Sequence, residues 1–344
     1  MPARAAYADT FCEEILPAVS RTFAVGIRLL PGELRAAVRD AYLLCRIADT
    51  VEDAPNLGAD EKASLLDGFA ACLTDPSAIG SLRSRLIRVA GDEAHVRLLG
   101  HADLVLASFA CRSSESRAHI IRWVTEMATG MRRFVIAYPE GIRIQSLEEY
   151  HEYCYYVAGT VGYLLTDLWR EHCPSIGDRQ YHALRERARA FAQALQTVNI
   201  LRDIARDAEH ENSMYVPEEL LREHGSAHAT LIAADRSSQN HAAVRHLMRL
   251  AWTDIDHATA YLVAIPRRAA SVRLFCALPL LFAAATLREL ARHPGATVQR
   301  EAVKISRAEV KAITLLSRCS VRSNRALAWL VAHARLRVVS VPFA

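Results

Sequence analysis

Two clusters of carboxylates stand out in this chain. The first lies in Tyr42-Leu43-Leu44-Cys45-Arg46-Ile47-Ala48-Asp49-Thr50-Val51-Glu52-Asp53. Asp49 and Asp53 are four residues apart and Glu52 is three from Asp49, so a helix would set all three on neighbouring parts of one face. Like charges at that spacing destabilise a helix by about 0.2–0.5 kcal/mol, and Asp is a mediocre helix former, so a cation is expected to offset the arrangement. Arg46 is the local candidate, and taken alone the motif reads more readily as a solvated, Arg-paired face.

The second cluster lies in Gln196-Thr197-Val198-Asn199-Ile200-Leu201-Arg202-Asp203-Ile204-Ala205-Arg206-Asp207. Asn199, Asp203 and Asp207 form an i, i+4, i+8 stripe, and the apolar flanks Val198, Ile200, Leu201 and Ile204 half-bury it. Arg206 could neutralise it locally. The pair of motifs changes the reading, because two Asp-x-x-x-Asp helices about 150 residues apart can face one another across a bundle core. Facing carboxylates without cations repel and lose solvation. Mg2+ takes one or two carboxylates and completes its shell with water and phosphate oxygens. That chemistry suits a diphosphate leaving group, whose charge metal and Arg neutralise while an allylic fragment departs as a carbocation. The cation needs an apolar, water-free cavity with π faces at chosen points. Tyr153, Tyr155, Tyr156 and Tyr163 are candidates, and at least half of them are expected to be ordinary core tyrosines.

The elements that must position these residues are helices. Apolar residues recur at helical spacing, as in Leu65 to Leu73, alternating strand patterns are nearly absent, and breakers divide the chain into about ten helices with no composition shift between domains. The expectation is one all-α domain over residues 1–344. Ser146-Leu147-Glu148-Glu149 reads as a capping box, with Ser146 as N-cap and Glu149 reaching back to it. Gly159 and Gly162 follow inside that helical segment, where each costs about 1 kcal/mol relative to Ala, so a neighbouring helix or a ligand must approach closely there.

Composition narrows the function. The chain has 344 residues, 51% of them hydrophobic, enough for a large core. Its net charge of +4 comes from scattered Arg without a basic run, which argues against nucleic acid as a partner. Eight cysteines without CxxC read as thiols of a reducing compartment, and the N-terminus lacks the apolar core of a signal peptide, so a cytoplasmic location is expected. The longest apolar run, Leu274 to Leu287, is shorter than the roughly 20 residues that span a bilayer and reads as a buried helix. A di-iron site would need two Glu-x-x-His motifs, and only Glu148 to His151 occurs. No phosphate-binding Gly loop, nucleophile elbow or zinc spacing is present.

Four segments in order resemble the squalene and phytoene synthase family: Ser20-Arg21-Thr22-Phe23, Tyr42 to Asp53, Tyr153 to Gly162, and Gln196 to Asp207. Phe275-Cys276-Ala277-Leu278-Pro279, Ala285-Thr286-Leu287 and Val303-Lys304-Ile305-Ser306-Arg307 are similar to the squalene branch, so the resemblance runs from about Ser20 to Arg307. It implies an isoprenoid-synthase bundle with a central cavity, and Mg2+ held by Asp49, Asp53, Asp203 and Asp207 through substrate diphosphates. Tyr42, Tyr153 and Arg46 would be catalytic, the tyrosines managing the carbocation or its proton. Ser20, Arg21, Phe23, Gln196, Asn199 and Arg202 would bind substrate, with Arg46, Arg21 and Arg202 near the phosphates. In the squalene branch two farnesyl diphosphates join head to head through a cyclopropyl diphosphate, which NADPH reduces; Asn199, Arg202, Lys304 and Arg307 would lie near that cofactor. A form without the eukaryotic membrane anchor is expected, touching a membrane only peripherally to deliver a lipid product.

Two departures leave alternatives open. Arg206 stands where an acidic residue usually precedes the last Asp, and Asn212-Ser213-Met214 stands where a Gly-Arg usually precedes the aromatic-x-Pro, here Tyr215-Val216-Pro217. They allow prenyl transfer to a non-isoprenoid aromatic acceptor on the same fold. A non-catalytic lipid-binding or subunit-binding relative is the third reading.

Overall fold

The computed structural model describes residues 2–293 and 303–336. It opens with α1 (Pro2–Val19), α2 (Arg21–Arg28), α3 (Gly32–Glu52) and α4 (Ala59–Thr74), then three short helices, α5 (Ile79–Leu86), α6 (Glu93–Gly100) and α7 (Ala102–Phe109). The long α8 (Ser114–Ala137) follows, and a π-helical turn, Tyr155–Gly159, joins α9 (Leu147–Cys154) to α10 (Thr160–His172). Then come α11 (Asp178–His210), α12 (Glu218–Glu223), α13 (Ser237–Ala264), α14 (Ala270–Arg292) and a C-terminal pair, α15 (Arg307–Ser320) and α16 (Asn324–Leu336). No strand occurs among the described residues beyond one isolated bridge, Arg143 to Met214. The chain therefore folds into more and shorter helices than its breakers indicate. The break at His101, for example, follows Gly100 directly, where His101 leaves helical geometry at φ −122° and ψ 27°.

Capping residues set the helix starts. Ser20 accepts from the Phe23 N–H at 3.2 Å, Ser113 from Ser116 at 2.9 Å and Ser146 from Glu149 at 3.1 Å. The capping box is modified, because Glu149 accepts from the N–H of Gln145 at 2.6 Å and not from Ser146. Its other oxygen is taken by the Tyr138 hydroxyl at 2.6 Å, which turns the carboxylate outward by one residue.

α11 packs along α13, α8 along α4, and α10 lies between α8 and α11 with α3 across them. The helical glycines serve this packing. A Cβ on Gly162 would sit 2.4 Å from the carbonyl oxygen of Ala188, so α10 and α11 meet backbone to backbone. Beside Gly159 the neighbours are the Tyr155 ring and the Arg189 stem. Close helix approach accounts for Gly162, whereas at Gly159 the tightest neighbour is the Tyr155 ring of the same turn. Gly162→Ala is expected to force the two helices apart and to lower stability by about 1–3 kcal/mol, read as a shifted urea midpoint at constant slope.

The apolar run falls in α14, whose 23 residues are long and apolar enough to cross a membrane. In the fold, however, 83% of its most apolar window is buried against the other helices.

Candidate active site

The C-terminal ends of α3 and α11 bring the two acid clusters near each other, with Glu52, Asp53 and Glu211 lining one cleft. Asp49, Glu52 and Asp53 come from α3; Asp203 and Asp207 come from α11, which adds Glu211 as its C-cap. A helix C-terminus carries partial negative charge, so these carboxylates oppose the dipoles of their own helices as well as one another. The consequence is visible in their protonation. Burial, then the charges of Asp49, Glu211 and Glu52, push the Asp53 carboxyl well above its usual range, although part of the side chain still reaches solvent. Burial, Asp49 and Glu211 push Glu52 up to about 8 against the pull of Lys62. Burial, Glu211 and Asp203 push Asp207 up to about 8. Glu211 is raised too, by burial and by Asp49 and Asp203, against Arg206 and Lys62. Each helix thus feels the other's charge through Glu211, which raises Glu52 and Asp53 and is itself raised by Asp49.

Cations reach only part of this charge. Arg46 forms an ion pair with Asp49 and donates to the Tyr42 hydroxyl at 3.0 Å, while Arg202 grips Asp203 through two contacts at 3.0 and 2.5 Å. Lys62 donates to the backbone carbonyl of Glu52 at 2.6 Å, leaving the buried Glu52 Oε1 without a hydrogen-bond partner. The cleft, about 260 Å³, is lined by Glu52, Asp53, Lys62, Tyr138, Glu211 and Tyr215. An oxygen-rich donor set with mutually raised carboxyls and an orphaned acceptor fits Mg2+, which needs few protein ligands and takes phosphate oxygens for the rest. Among the described residues no three His, Cys, Asp or Glu side chains form a closed metal cage.

Aromatic groups stand beside the acids. Tyr153 stacks on Tyr215 with ring centroids 4.9 Å apart, and burial, followed by the nearby Glu52 and Asp53, keeps the Tyr153 hydroxyl neutral well beyond its usual range. Tyr42 meets Phe23 at 5.6 Å, and Phe23 in turn meets Phe275 at 6.4 Å. The other three tyrosines pack helices together: Tyr155 donates to Glu126 at 2.5 Å, Tyr156 lies against Gly130, and Tyr163 stacks on Trp123 at 5.0 Å.

Of the remaining expected residues, Ser20 is the cap of α2, and Gln196 and Asn199 lie two turns and one turn before Asp203 on α11, half-buried and exposed respectively. The side chain of Arg21 lies outside the described residues. Lys304 and Arg307 are exposed at the entry to α15, which packs chiefly on α14. Glu211, Lys62 and Tyr215 are site residues that the motif reading does not single out. Glu211 was detectable, since it extends the Asp203, Asp207 stripe by one more turn. The departing segment is held in place by Arg143, which donates to Asn212 Oδ1 at 2.6 Å, and by Met214, whose N–H donates to Ile142 O at 2.8 Å.

A pH test follows from the raised carboxyls. Glu52 and Asp207 hold protons up to about 8 when folded but only to 4.5 and 3.8 as free side chains. The folded state is therefore the better proton binder between those limits, and metal-free stability is lost as pH rises through them. The melting temperature without metal is expected to fall from pH 6 to pH 8, and the gain on adding Mg2+ to grow over the same window, since binding requires the deprotonated forms. A gain independent of pH would show that these carboxylates do not take the ion.

Comparison with known proteins supplies the family and the fold. The family model for squalene/phytoene synthase matches residues 16–309. Squalene synthase of Schizosaccharomyces pombe is 29% identical over 310 residues, 89% of this chain and 64% of that protein; squalene synthase of Homo sapiens is 30% identical over 312 residues, 89% of this chain and 68% of that protein. The chain thus matches less than two thirds of the length of the first of these relatives. The solved TcSQS bound to BPH1237 superposes with a TM-score of 0.83 at 25% identity, covering 98% of this chain and 94% of that one. A dehydrosqualene synthase in complex with ligand shares the fold at a TM-score of 0.62 and 20% identity, over 97% of this chain and 98% of that one. With its helical fold, its facing acid helices and a match over most of its length, the chain belongs to the squalene/phytoene synthase family.

Proposed function

We propose that this chain is a Mg2+-dependent prenyltransferase that condenses two farnesyl diphosphates head to head to a squalene-type C30 product. The observation that carries the reading is the pair of facing carboxylate sets on α3 and α11, under-neutralised by their own arginines. Bound there, Mg2+ supplies charge neutralisation for a leaving diphosphate. Asp49, Asp53, Asp203 and Asp207 are the residues to hold it. Arg46 and Arg202, oriented by Asp49 and Asp203, present guanidinium N–H groups to phosphate oxygens. The C–O bond of one donor breaks with its electron pair leaving on diphosphate, and the double bond of the second molecule captures the allylic cation. Loss of a proton then closes the cyclopropane. Tyr42, Phe23, Tyr153 and Tyr215 offer ring faces to the cationic fragment. Because burial keeps the Tyr153 hydroxyl neutral, it acts through its dipole and ring rather than as a phenolate. NADPH, if the product is fully reduced, would be recognised by groups that include Arg202.

The test is incubation of the purified protein with farnesyl diphosphate and Mg2+, with and without NADPH, following diphosphate and lipid products together. A C30 hydrocarbon formed only with NADPH supports a squalene-type outcome, and a C30 product without it a truncated sequence. Diphosphate release only after an aromatic acceptor is added would transfer the assignment to that acceptor class, for which the Arg143-held Asn212 to Met214 segment is the observation in favour.

A further inference from the structure

Two buried nitrogens near the acid clusters have no partner. Arg46 gives one terminal nitrogen to Asp49 and the other to the Tyr42 hydroxyl, while its Nε is buried and makes no hydrogen bond. The second is Nε2 of His95, equally buried and unpaired. A buried donor without an acceptor costs free energy, and a bound acceptor removes that cost. Two such donors on neighbouring helices therefore point to a shared acceptor from outside the chain.

His95 stands in the first turn of α6, after Asp92, whose carboxylate accepts from the Ala94 N–H at 3.0 Å. α6 packs on α1 and α3, which places the ring where the end of α1, with Val19 and then Ser20, meets the turn of α3 that carries Arg46 and Asp49. The surrounding charges act on it accordingly. Burial, then the Arg46 guanidinium, hold the ring below its usual pKa, and Asp92, Asp49 and the Val19 carbonyl act the other way. The ring is therefore neutral at pH 7 and has one N–H to give. Nδ1 is 3.9 Å from Asp92, beyond hydrogen-bond reach, and the Val19 carbonyl, although near, closes no hydrogen bond with Nε2. Solvent reaches the edge of this group, since the side chains of Arg46, Asp49 and His95 are 30%, 29% and 29% exposed.

We propose that His95 is a substrate-binding residue, donating its Nε2–H to an oxygen of the diphosphate beside the Nε–H of Arg46. The inference rests on the diphosphate reading above and adds a contact from α6, a helix that carries none of the four motif segments. A phosphate group has oxygens enough to accept from both nitrogens at once, and the guanidinium favours its charge. A metal ion is the wrong occupant for this spot, because Arg46 repels it and Mg2+ prefers oxygen to imidazole nitrogen. Burial makes the pairing effective: neither nitrogen has a hydrogen bond to give up when the acceptor arrives.

Binding of inorganic pyrophosphate with Mg2+ to the full chain is to be measured by titration calorimetry for wild type, His95→Leu, His95→Gln and His95→Asn. A Gln side chain sets its amide nitrogen close to the place of Nε2, Asn sets it near that of Nδ1, and Leu has no polar atom. Expected are a loss on the order of tenfold for His95→Leu and His95→Asn, binding close to wild type for His95→Gln, and the same melting temperature in all four. With farnesyl diphosphate the KM of His95→Leu should rise by a similar factor while kcat changes less, because the contact is made before and during departure of the leaving group. Should His95→Leu not fold, the contrast between His95→Asn and His95→Gln decides. Pyrophosphate bound equally by wild type, His95→Leu and His95→Asn would overturn the role of His95 and leave the diphosphate reading standing. A loss in His95→Gln as large as in His95→Asn would overturn it too, since the N–H would then not be what counts. No binding of pyrophosphate by wild type would overturn both.

Discussion

Asp53→Asn is expected to lower diphosphate release from farnesyl diphosphate by a factor on the order of 10²–10³ while raising the metal-free melting temperature at pH 8. Both effects have one origin. Asp53 is strongly opposed by its surroundings, with burial, then Asp49, Glu211 and Glu52 acting against its charge and Arg46 in its favour. Removing the charge relieves that repulsion in the folded protein, and the same change removes a ligand from the ion that stabilises the leaving group. Asp207→Asn should behave alike, and the double variant should lose little more than either single one, because the carboxylates act as a unit through the same ion. Turnover unchanged in both single variants would end the catalytic reading and favour a non-catalytic relative. Loss of turnover together with a lower melting temperature would instead make the carboxylates structural.

The second large effect concerns stability. Arg39→Ala should destabilise the fold by about 3–5 kcal/mol, read from urea unfolding, because it strands a buried partner. Arg39 is only 1% exposed and reaches Asp9 at 2.5 Å, Glu13 at 2.9 Å, Asp40 at 2.9 Å and Ser108 at 2.9 Å, so α1, α3 and α7 converge on one guanidinium. Asp40 is fully buried, and burial raises its pKa to about 6 even with Arg39 and Arg112 beside it. Without Arg39, that carboxylate keeps Arg112 at 3.2 Å and loses its closer partner. Arg39→Met with Asp40→Leu should recover much of the loss, since an apolar pair of similar volume avoids both desolvation costs. A double variant as unstable as Arg39→Ala would show that the helices need the network itself.

These two predictions differ in how far they could be read from the chain alone. Asp49, Asp53, Asp203 and Asp207 declare themselves because spacing of four on a helix is a local property, and the doubling of the pattern supplies the partner. The α-class is legible for the same reason, since helical periodicity is local. Lys62, Tyr138 and Tyr215 reach the cleft from α4 and from two connecting segments, and nothing in their neighbourhoods marks that convergence. Arg39-Asp40 is the sharper case. In sequence it is an ordinary adjacent pair on a charged helix, and only the packing of α1 and α7 makes it the interior of the protein. The split of α9 from α10 by a π turn was equally hidden, because the residues Tyr155–Gly159 read as a continuous helix, and only the fold seats Tyr156 against Gly130. Gly162 shows the middle ground: its cost announces a close approach, and only the fold says that it is another helix.

The separation of the two acid helices along the chain also orders events during synthesis. The carboxylates of α3 leave the ribosome about 150 residues ahead of those of α11, a delay of roughly 10–30 s at ordinary elongation rates. In that interval Asp49 has Arg46, and neither Glu52 nor Asp53 has an opposing acid helix to repel. Repulsion of Glu52 and Asp53 by Asp49 is present within α3 from the start, and the charge of Glu211 is added only when α11 docks, after most of α1 to α10 is available to pack. An ion bound as proposed would therefore offset a repulsion that grows when α11 joins α3, and a nascent chain stalled before Asp203 would lack half of its ligands.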